Sequence, residues 1–523
     1  MLRDLDLLAR LDLVEQREDL RFGLSSSHTS SHIVRIADLS RETKPPRASA
    51  GRTSTIGGVT RYTSATDSDR EAMLDAIGVA SAEELFEQIP AEVRLDRPLD
   101  LPDGLSEHEV YEHLRALAQK NADTESELSF LGAGMYDHYV PAIVDAITSR
   151  SEFLTPYTPY QPEVSQGGLQ AMFEFQTCMS ELTALPVANA SMYEGPSSVA
   201  SAAYLALGAR KGRTKLVVSR GLHPHARETL ATYARGWDAE IAEVGLEGGL
   251  TDPASLAAAL DDETAALFVQ NPNFLGGIED LEALASAAHD AGALAIASVD
   301  PMTLGVLRPP GECGIDVAVG EGQPLGGRLD YGGPSFGFFC ATEEHLRRMP
   351  GRIAGETTDA DGRRGFVLAL QTREQHIRRE KATHNICTSQ ALNALGGVIH
   401  LVWLGKRGLV ELGELIVRRT AYARERLTGI EGVEPLHDAP VARELALRIA
   451  APVDAVLDAC AADGIAAGYP LARDYPEHED GLLVAVTERT SRTDIDRLTD
   501  LLARAVAAHR DSATGRATAG SSV

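Results

Sequence analysis

Apolar positions along the chain follow two periods, and each change of period marks an element. Short β-branched runs such as KLVVS (215–219) read as buried strands, as do 240–244, 265–270 and 293–299. Between them apolar residues recur every three or four positions, which predicts helices over 166–184, 198–208, 226–236, 253–260 and 279–291. Strands separated by helices predict a mostly parallel sheet with covering helices. Ligands of such a sheet lie beyond the carboxyl ends of its strands.

The flanking regions follow other patterns. Upstream, Ser68 to Glu71 reads as a capping box that opens a helix ending at Gly78. Ser81 to Glu84 reads as a second box, with Leu85, Phe86 and Ile89 on one face and Pro90 as the stop. Downstream, helices over 391–404, 409–427, 452–463 and 493–508 surround strands over 444–450 and 481–488. That pattern predicts a smaller α+β layer. The expected organisation is an extension over 1–57, a helical lead-in over 58–125, a large α/β domain over 126–390, a small α+β domain over 391–511 and a tail over 512–523. The extension and the tail are polar and rich in Ser, Gly and Ala, so both are expected to be disordered. For the extension a start codon placed upstream of the true one is a second reading. His28 and His32 stand four apart, but their Ser-rich context disfavours the helix a metal pair would need.

Composition narrows the function classes. At 523 residues and 44% hydrophobic, the chain can bury a large core in more than one domain. Its formal charge, 49 − 76 = −27, repels phosphate backbones, so no nucleic-acid partner is expected. Cys178, Cys313, Cys340, Cys387 and Cys460 are odd in number and widely spaced, as reduced thiols are, and no metal site is expected. No apolar run reaches the roughly 18 residues that a membrane span needs. The first 19 residues carry charges throughout without an apolar h-region, and residues 1–57 hold eight acids against nine bases. Neither a secretory signal nor a transit peptide is expected, and the expected compartment is the cytoplasm.

Four stretches carry candidate chemistry. FLGAGMYDHYVP (130–141) sets Tyr136, Asp137, His138 and Tyr139 behind two glycines that widen the backbone's choices. Pro156, Pro159 and Pro162 then recur every third residue, which suits a stiff extended crossing. MYEGPSS (192–198) opens a helix: its small residues suit a phosphate at the helix N-terminus, although Pro196 removes one donor, and a plain N-cap at Ser197 or Ser198 is equally consistent. His223-Pro224-His225 follows a strand, but a lone H-x-H is weak evidence for a metal. RRGFVLALQTREQHIRREKATHNICTSQAL (363–392) has six basic and two acidic side chains over 363–381, a local +4 in an acidic chain. Glu374 and Arg378 have the favourable helical spacing, and the excess charge, Arg378 and Lys381 included, suits an anionic group or an acidic partner.

The strongest negative datum is a missing amine. Imine chemistry needs an uncharged amine on a positioned lysine. The only lysines are Lys44, Lys120, Lys211, Lys215, Lys381 and Lys406, and none follows a strand of the central sheet where such a lysine is needed.

These residues carry a resemblance. FLGAGMYDHYVP, TPYTPYQPEVSQGGLQAMFEFQT, QNPNFLGGIED and the 363–392 stretch are similar to the α subunit of split glycine decarboxylases, the P-protein of the glycine cleavage system. The similarity spans about 61–509; the extension departs from it. The resemblance implies a type I pyridoxal-phosphate-dependent transferase fold in an α2β2 assembly. It implies pyridoxal phosphate on the lysine of subunit 2, and none bound covalently to this chain. GIDVAVGEGQPLGGRLDYGGP (314–334) would then match the partner's lysine loop, with the missing lysine within Gln323, Pro324 and Leu325, and with Glu321 to Leu325 filling the old cofactor cleft. The implied reaction is decarboxylation of glycine with transfer of the aminomethyl group to the lipoylated H-protein. Tyr136, Asp137, His138, Arg378 and Lys381 are the candidates for completing the partner's active site. A non-enzymatic scaffold or regulatory paralogue is the alternative, and an independent enzyme using an out-of-place Lys381 is a third reading.

Overall fold

The computed structural model describes residues 64–519, apart from 96, 98 and 383, with side chains to 509. The expectations for 1–57, including His28 and His32, and for 520–523 lie outside the described residues. The chain divides into two compact units, 1–120 and 121–523.

In the first unit Asp67–Ile77 is helical, and its cap is Thr66 rather than Ser68: the Thr66 hydroxyl accepts from the Asp69 N–H and the Asp69 carboxylate accepts from Thr66. Gly78, at φ 85°, ends it as expected of a left-handed C-cap. Ala82–Phe86 is a 3₁₀ turn, not the expected α-helix. Pro90 leaves space for only about two turns, too short to repay helix nucleation. Glu107–Ala118, capped by Ser106 and Glu109, is a helix for which the sequence pattern above made no provision.

The second unit is built on a seven-stranded sheet. In spatial order its strands are Val187–Ala188, Gly337–Ala341, Val317–Glu321, Leu294–Val299, Thr264–Asn271, Lys215–Ser219 and Glu240–Val244. The last five pair in parallel, and Gly337–Ala341 runs antiparallel to both neighbours. Seven of the eight residues of Thr264–Asn271 are buried, as in a strand covered on both faces. Two apolar cores lie on opposite faces, one around Phe175, Leu267 and Phe338, the other around Val199, Phe268 and Phe339. The architecture is the expected one, a large, mostly parallel sheet with a smaller α+β layer.

That smaller layer is an antiparallel sheet ordered Val433–Pro435, Glu444–Ile449, Gly481–Ala485, Tyr469–Pro470. Helices Val453–Ala462 and Arg492–Ala519 share its core. The last helix reaches Ala519, so 512–519 is not the irregular tail expected; its alanines and arginine are good helix formers. Leu128–Ser129 pairs with Ile465–Ala466 and Phe130 packs in the small core. The chain therefore enters the small layer before crossing to the large one, and 126 does not mark the start of the large layer. Ala391–Thr428 links the layers and breaks at Gly405, at φ 61° and ψ 177°, between the two helices expected there. Ile353–Thr358 and Arg364–Ala369 form a hairpin, so part of the basic stretch is a strand. The expected Glu374–Arg378 pair is replaced: Glu374 caps the short helix Gln375–Arg378, and its carboxylate faces Arg352 at 3.8 Å and His376 at 3.6 Å. Among the described residues no helix is long and apolar enough to cross a membrane.

Candidate functional site

The carboxyl ends of the parallel strands open into a cavity of about 380 Å³, lined among others by Tyr136, Glu194, His223, Asp300, Glu321 and Arg443. Its position follows from the fold: the strand ends release Gly221 to His223, Pro272, Asp300 and Glu321 on one side of the sheet. The small layer closes the opposite wall with Arg443 and Glu444, at the start of their strand.

Arg443 is the centre of a buried network. It donates to the Asp300 carboxylate and to His138 Nε2 (2.7 Å), and its guanidinium lies 3.4 Å from the centre of the Tyr136 ring. Burial disfavours its charge, but Asp300, Tyr136 and Glu444 around it together more than offset this and lift its pKa above the ordinary arginine value. The next residue, Glu444, accepts from the Tyr136 hydroxyl (2.9 Å) and from the Ala133 N–H (2.9 Å). Burial raises its carboxyl to about 7, against the pull of Arg443 and these bonds. His138 Nδ1 faces Glu488 at 2.7 Å. Burial alone would raise the Glu488 carboxyl, yet the His138 bond and the Tyr139 N–H hold it at about 2.

The helix N-terminus proposed for phosphate is already filled. Helix Gly195–Ala209 starts three residues before the expected one, and its cap is Glu194, not Ser197 or Ser198. The Glu194 carboxylate accepts from Ser197 N–H (3.3 Å), and the Glu321 carboxylate accepts from Gly195 N–H (3.0 Å). Glu321 also takes the Gln323 N–H (3.1 Å) and the Ser335 hydroxyl. Pro196 offers no N–H. Two carboxylates thus stand where the helix dipole would favour a ligand's anion.

His223 is neutral. Burial lowers its pKa to about 4, its Nδ1 accepts from His225 N–H (3.1 Å) and its Nε2 donates to Ala133 O (2.9 Å). Both nitrogens are spent, so the H-x-H is a helix cap rather than a metal pair. Among the described residues no cluster of His, Cys, Asp or Glu could hold a metal ion. Gly134 makes the close approach to this ring: a Cβ there would sit 2.5 Å from His223 Nε2, and its φ is 102°.

The predicted residues separate into two sets. Tyr136 and His138 are buried with their polar atoms used inside the chain, and Asp137 pairs with Arg489 Nε at 2.9 Å. Arg378 and Lys381 are exposed, on the segment after the hairpin. Of 321–325, Glu321 and Pro324 line the cavity, Gln323 is buried beneath the 131–139 loop, and Leu325 packs in the core with Phe336. Arg443, Glu444 and Glu488 escaped the sequence reading. Their signal was faint: charges bracketing strands whose interiors are apolar.

This cleft does not fit pyridoxal phosphate. No lysine lines it, Glu321 and Glu194 hold the helix N-terminus that a phosphate would need, and Asp300 is already paired with Arg443.

A family model for the glycine cleavage system P-protein matches residues 60–502. The chain is 48% identical over 437 residues to a probable glycine dehydrogenase (decarboxylating) subunit 1 of Halalkalibacterium halodurans, covering 84% of this chain and 97% of the relative. It is also 48% identical over 442 residues to the same subunit of Carboxydothermus hydrogenoformans, covering 84% and 99%. Among solved structures, an inhibitor-bound glycine decarboxylase (P-protein) of the glycine cleavage system matches with a TM-score of 0.79 and 44% identity, over 85% of this chain and 100% of that one. A Burkholderia pseudomallei sphingosine-1-phosphate lyase, 16% identical, matches with a TM-score of 0.60 over 82% of this chain and 97% of that one, and shares the fold alone.

Proposed function

This chain belongs to the glycine cleavage system P-protein family, and we propose that it is the glycine decarboxylase subunit that carries no cofactor. The observation that carries this reading is the cleft at the strand ends, where Glu321 holds the helix N-terminus that would suit a phosphate and no lysine reaches the lining. In this reading the partner, subunit 2, holds pyridoxal phosphate, which supplies the electron sink for loss of CO2. The pair assembles as α2β2 in the cytoplasm, and the aminomethyl group passes to the lipoyl arm of the H-protein. This chain completes the partner's site with the 131–139 loop and with the exposed cations Arg378 and Lys381, which suit an anionic group across the interface. Tyr136, Asp137 and His138 then support the loop, because their tips are turned into the chain's own network.

Co-expression with and without the partner tests this. The purified chain alone is expected to show no glycine–CO2 exchange, and the complex to show it. Exchange by the single chain would overturn the reading. The alternative, a scaffold that never joins the partner's site, draws on those same inward-turned tips. Arg378→Ala with Lys381→Ala separates the two: at least a tenfold loss of turnover in an intact complex is expected here, and full activity under the scaffold reading.

A further inference from the structure

Gln323 has an unusual set of partners for a side chain that is 1% exposed. Its Oε1 accepts the Tyr136 N–H at 3.0 Å, and its Nε2 donates to Tyr136 O and to Gly327 O, each at 2.9 Å. One amide thus ties both backbone groups of a residue 187 positions away and closes its own turn as well. Only glutamine fits this pattern at this length. Glutamate has no N–H to give, lysine cannot accept, and methionine offers neither. Without Gln323 the Tyr136 O would keep only the His138 N–H (3.0 Å), and the Tyr136 N–H would lose the partner it has in Gln323. A buried N–H left without a partner costs more than the bond itself is worth.

The bonds act at one point. The Tyr136 ring is already held by Arg443 above it and its hydroxyl by Glu444. Gln323 adds the backbone, so Tyr136 becomes the fixed post of the 131–139 loop. On either side of that post the loop carries Leu131 and Tyr139, both about half exposed, and Tyr139 stands beside Trp403 with ring centres 6.3 Å apart.

We propose that Gln323 is a positioning residue for catalysis by the complex: it fixes the 131–139 loop in the shape with which this chain completes the partner's active site. The proposal rests on the reading above, in which that loop serves the partner. The turn that would carry a cofactor amine in a catalytic chain here carries a clamp instead. A loop displaced by about 1 Å is enough to lose up to 100-fold in rate while binding is kept.

Gln323→Met and Gln323→Glu, each co-expressed with the partner, test it. Both keep the side chain's volume and remove two or more of the three bonds. The expected result is a kcat for glycine–CO2 exchange at least tenfold lower, with KM for glycine within twofold, complex yield and melting temperature preserved, and faster backbone hydrogen exchange confined to 131–139. A kcat within twofold of wild type, or a loss of activity that only tracks loss of complex, would overturn the proposal. Failure of the parent reading is seen separately, as exchange by the wild-type single chain.

Discussion

Arg443 and Tyr136 meet face to face in the wall between the two layers, guanidinium over ring at 3.4 Å, although 307 positions separate them in the chain. Arg443 is almost wholly buried and is tied at the same time to Asp300 and His138. Arg443→Met keeps the bulk and removes the charge, which leaves the mostly buried Asp300 carboxylate without its ion-pair partner. Removing one member of a buried pair costs about 3–5 kcal/mol. Urea denaturation is expected to show a loss of that size, and the double variant with Asp300→Asn is expected to recover part of it. Purely additive losses would mean the two groups do not act as a pair.

Two carboxylates of the same network titrate in opposite directions. Glu444, raised by burial to about 7, keeps in the folded state a proton that the unfolded chain releases near 4.5. Its contribution is therefore fully present below 4.5 and is lost as pH rises through 7. Glu488, held at about 2 by His138 despite its burial, contributes above 4.5 and loses that contribution as pH falls towards 2. Comparing Glu444→Gln and Glu488→Gln with wild type across pH 3–8 checks the signs. The Glu444 variant is expected to gain relative to wild type above pH 5 by roughly 1–3 kcal/mol. The Glu488 variant is expected to lose relative to wild type over the same range.

Glu321 supplies the anion at the start of helix Gly195–Ala209. Removing it together with the capping carboxylate, in Glu194→Ala with Glu321→Ala, frees the Gly195 and Ser197 N–H groups and the N-terminal end of the helix dipole inside the cleft. Titration calorimetry with inorganic phosphate is expected to detect millimolar or tighter binding to this double variant and none to wild type. Glu321→Gln, which can still accept the N–H, is expected to behave like wild type. Equal phosphate affinity in all three would show that the carboxylates do not occupy the seat.

How much of this was legible depends on range. Lys215–Ser219 and Glu240–Val244 could be read to the residue because a strand's apolar run is local. Val317–Glu321 and Gly337–Ala341 were hidden by glycine, which weakens the strand signal yet is needed here: a Cβ on Gly320 would meet Val299 O at 2.4 Å. The start at Gly195 was missed because its cap is a glutamate, not the usual serine. The cleft's network has no local pattern at all. Asp300 and Arg443 are 143 positions apart, Tyr136 and Glu444 308, and only the crossing of the two layers brings them together. The missing lysine, by contrast, was visible at once, since an absence over a long stretch needs no structure.

Where the layers cross, the backbone itself is limiting, and glycine substitutions measure how tightly. Gly276 has φ 88°, and a Cβ there would lie 2.3 Å from the Glu444 carbonyl oxygen and 2.9 Å from its carbon. Neither is the free end of a side chain, so the strand bearing Arg443 and Glu444 would have to move. Gly248 has φ 59° but open space around a Cβ. Alanine at Gly248 pays only the left-handed backbone term, about 1–2 kcal/mol. Alanine at Gly276 pays that term and the clash as well, about 3 kcal/mol or more in total. The measurement is chemical denaturation of Gly276→Ala and Gly248→Ala side by side. A further expectation distinguishes layer displacement from plain strain: Gly276→Ala should speed hydrogen exchange at 443–445 and at the 131–139 loop, whereas Gly248→Ala should leave both unchanged. Equal destabilisation by the two variants would mean that the crossing is looser than these contacts imply.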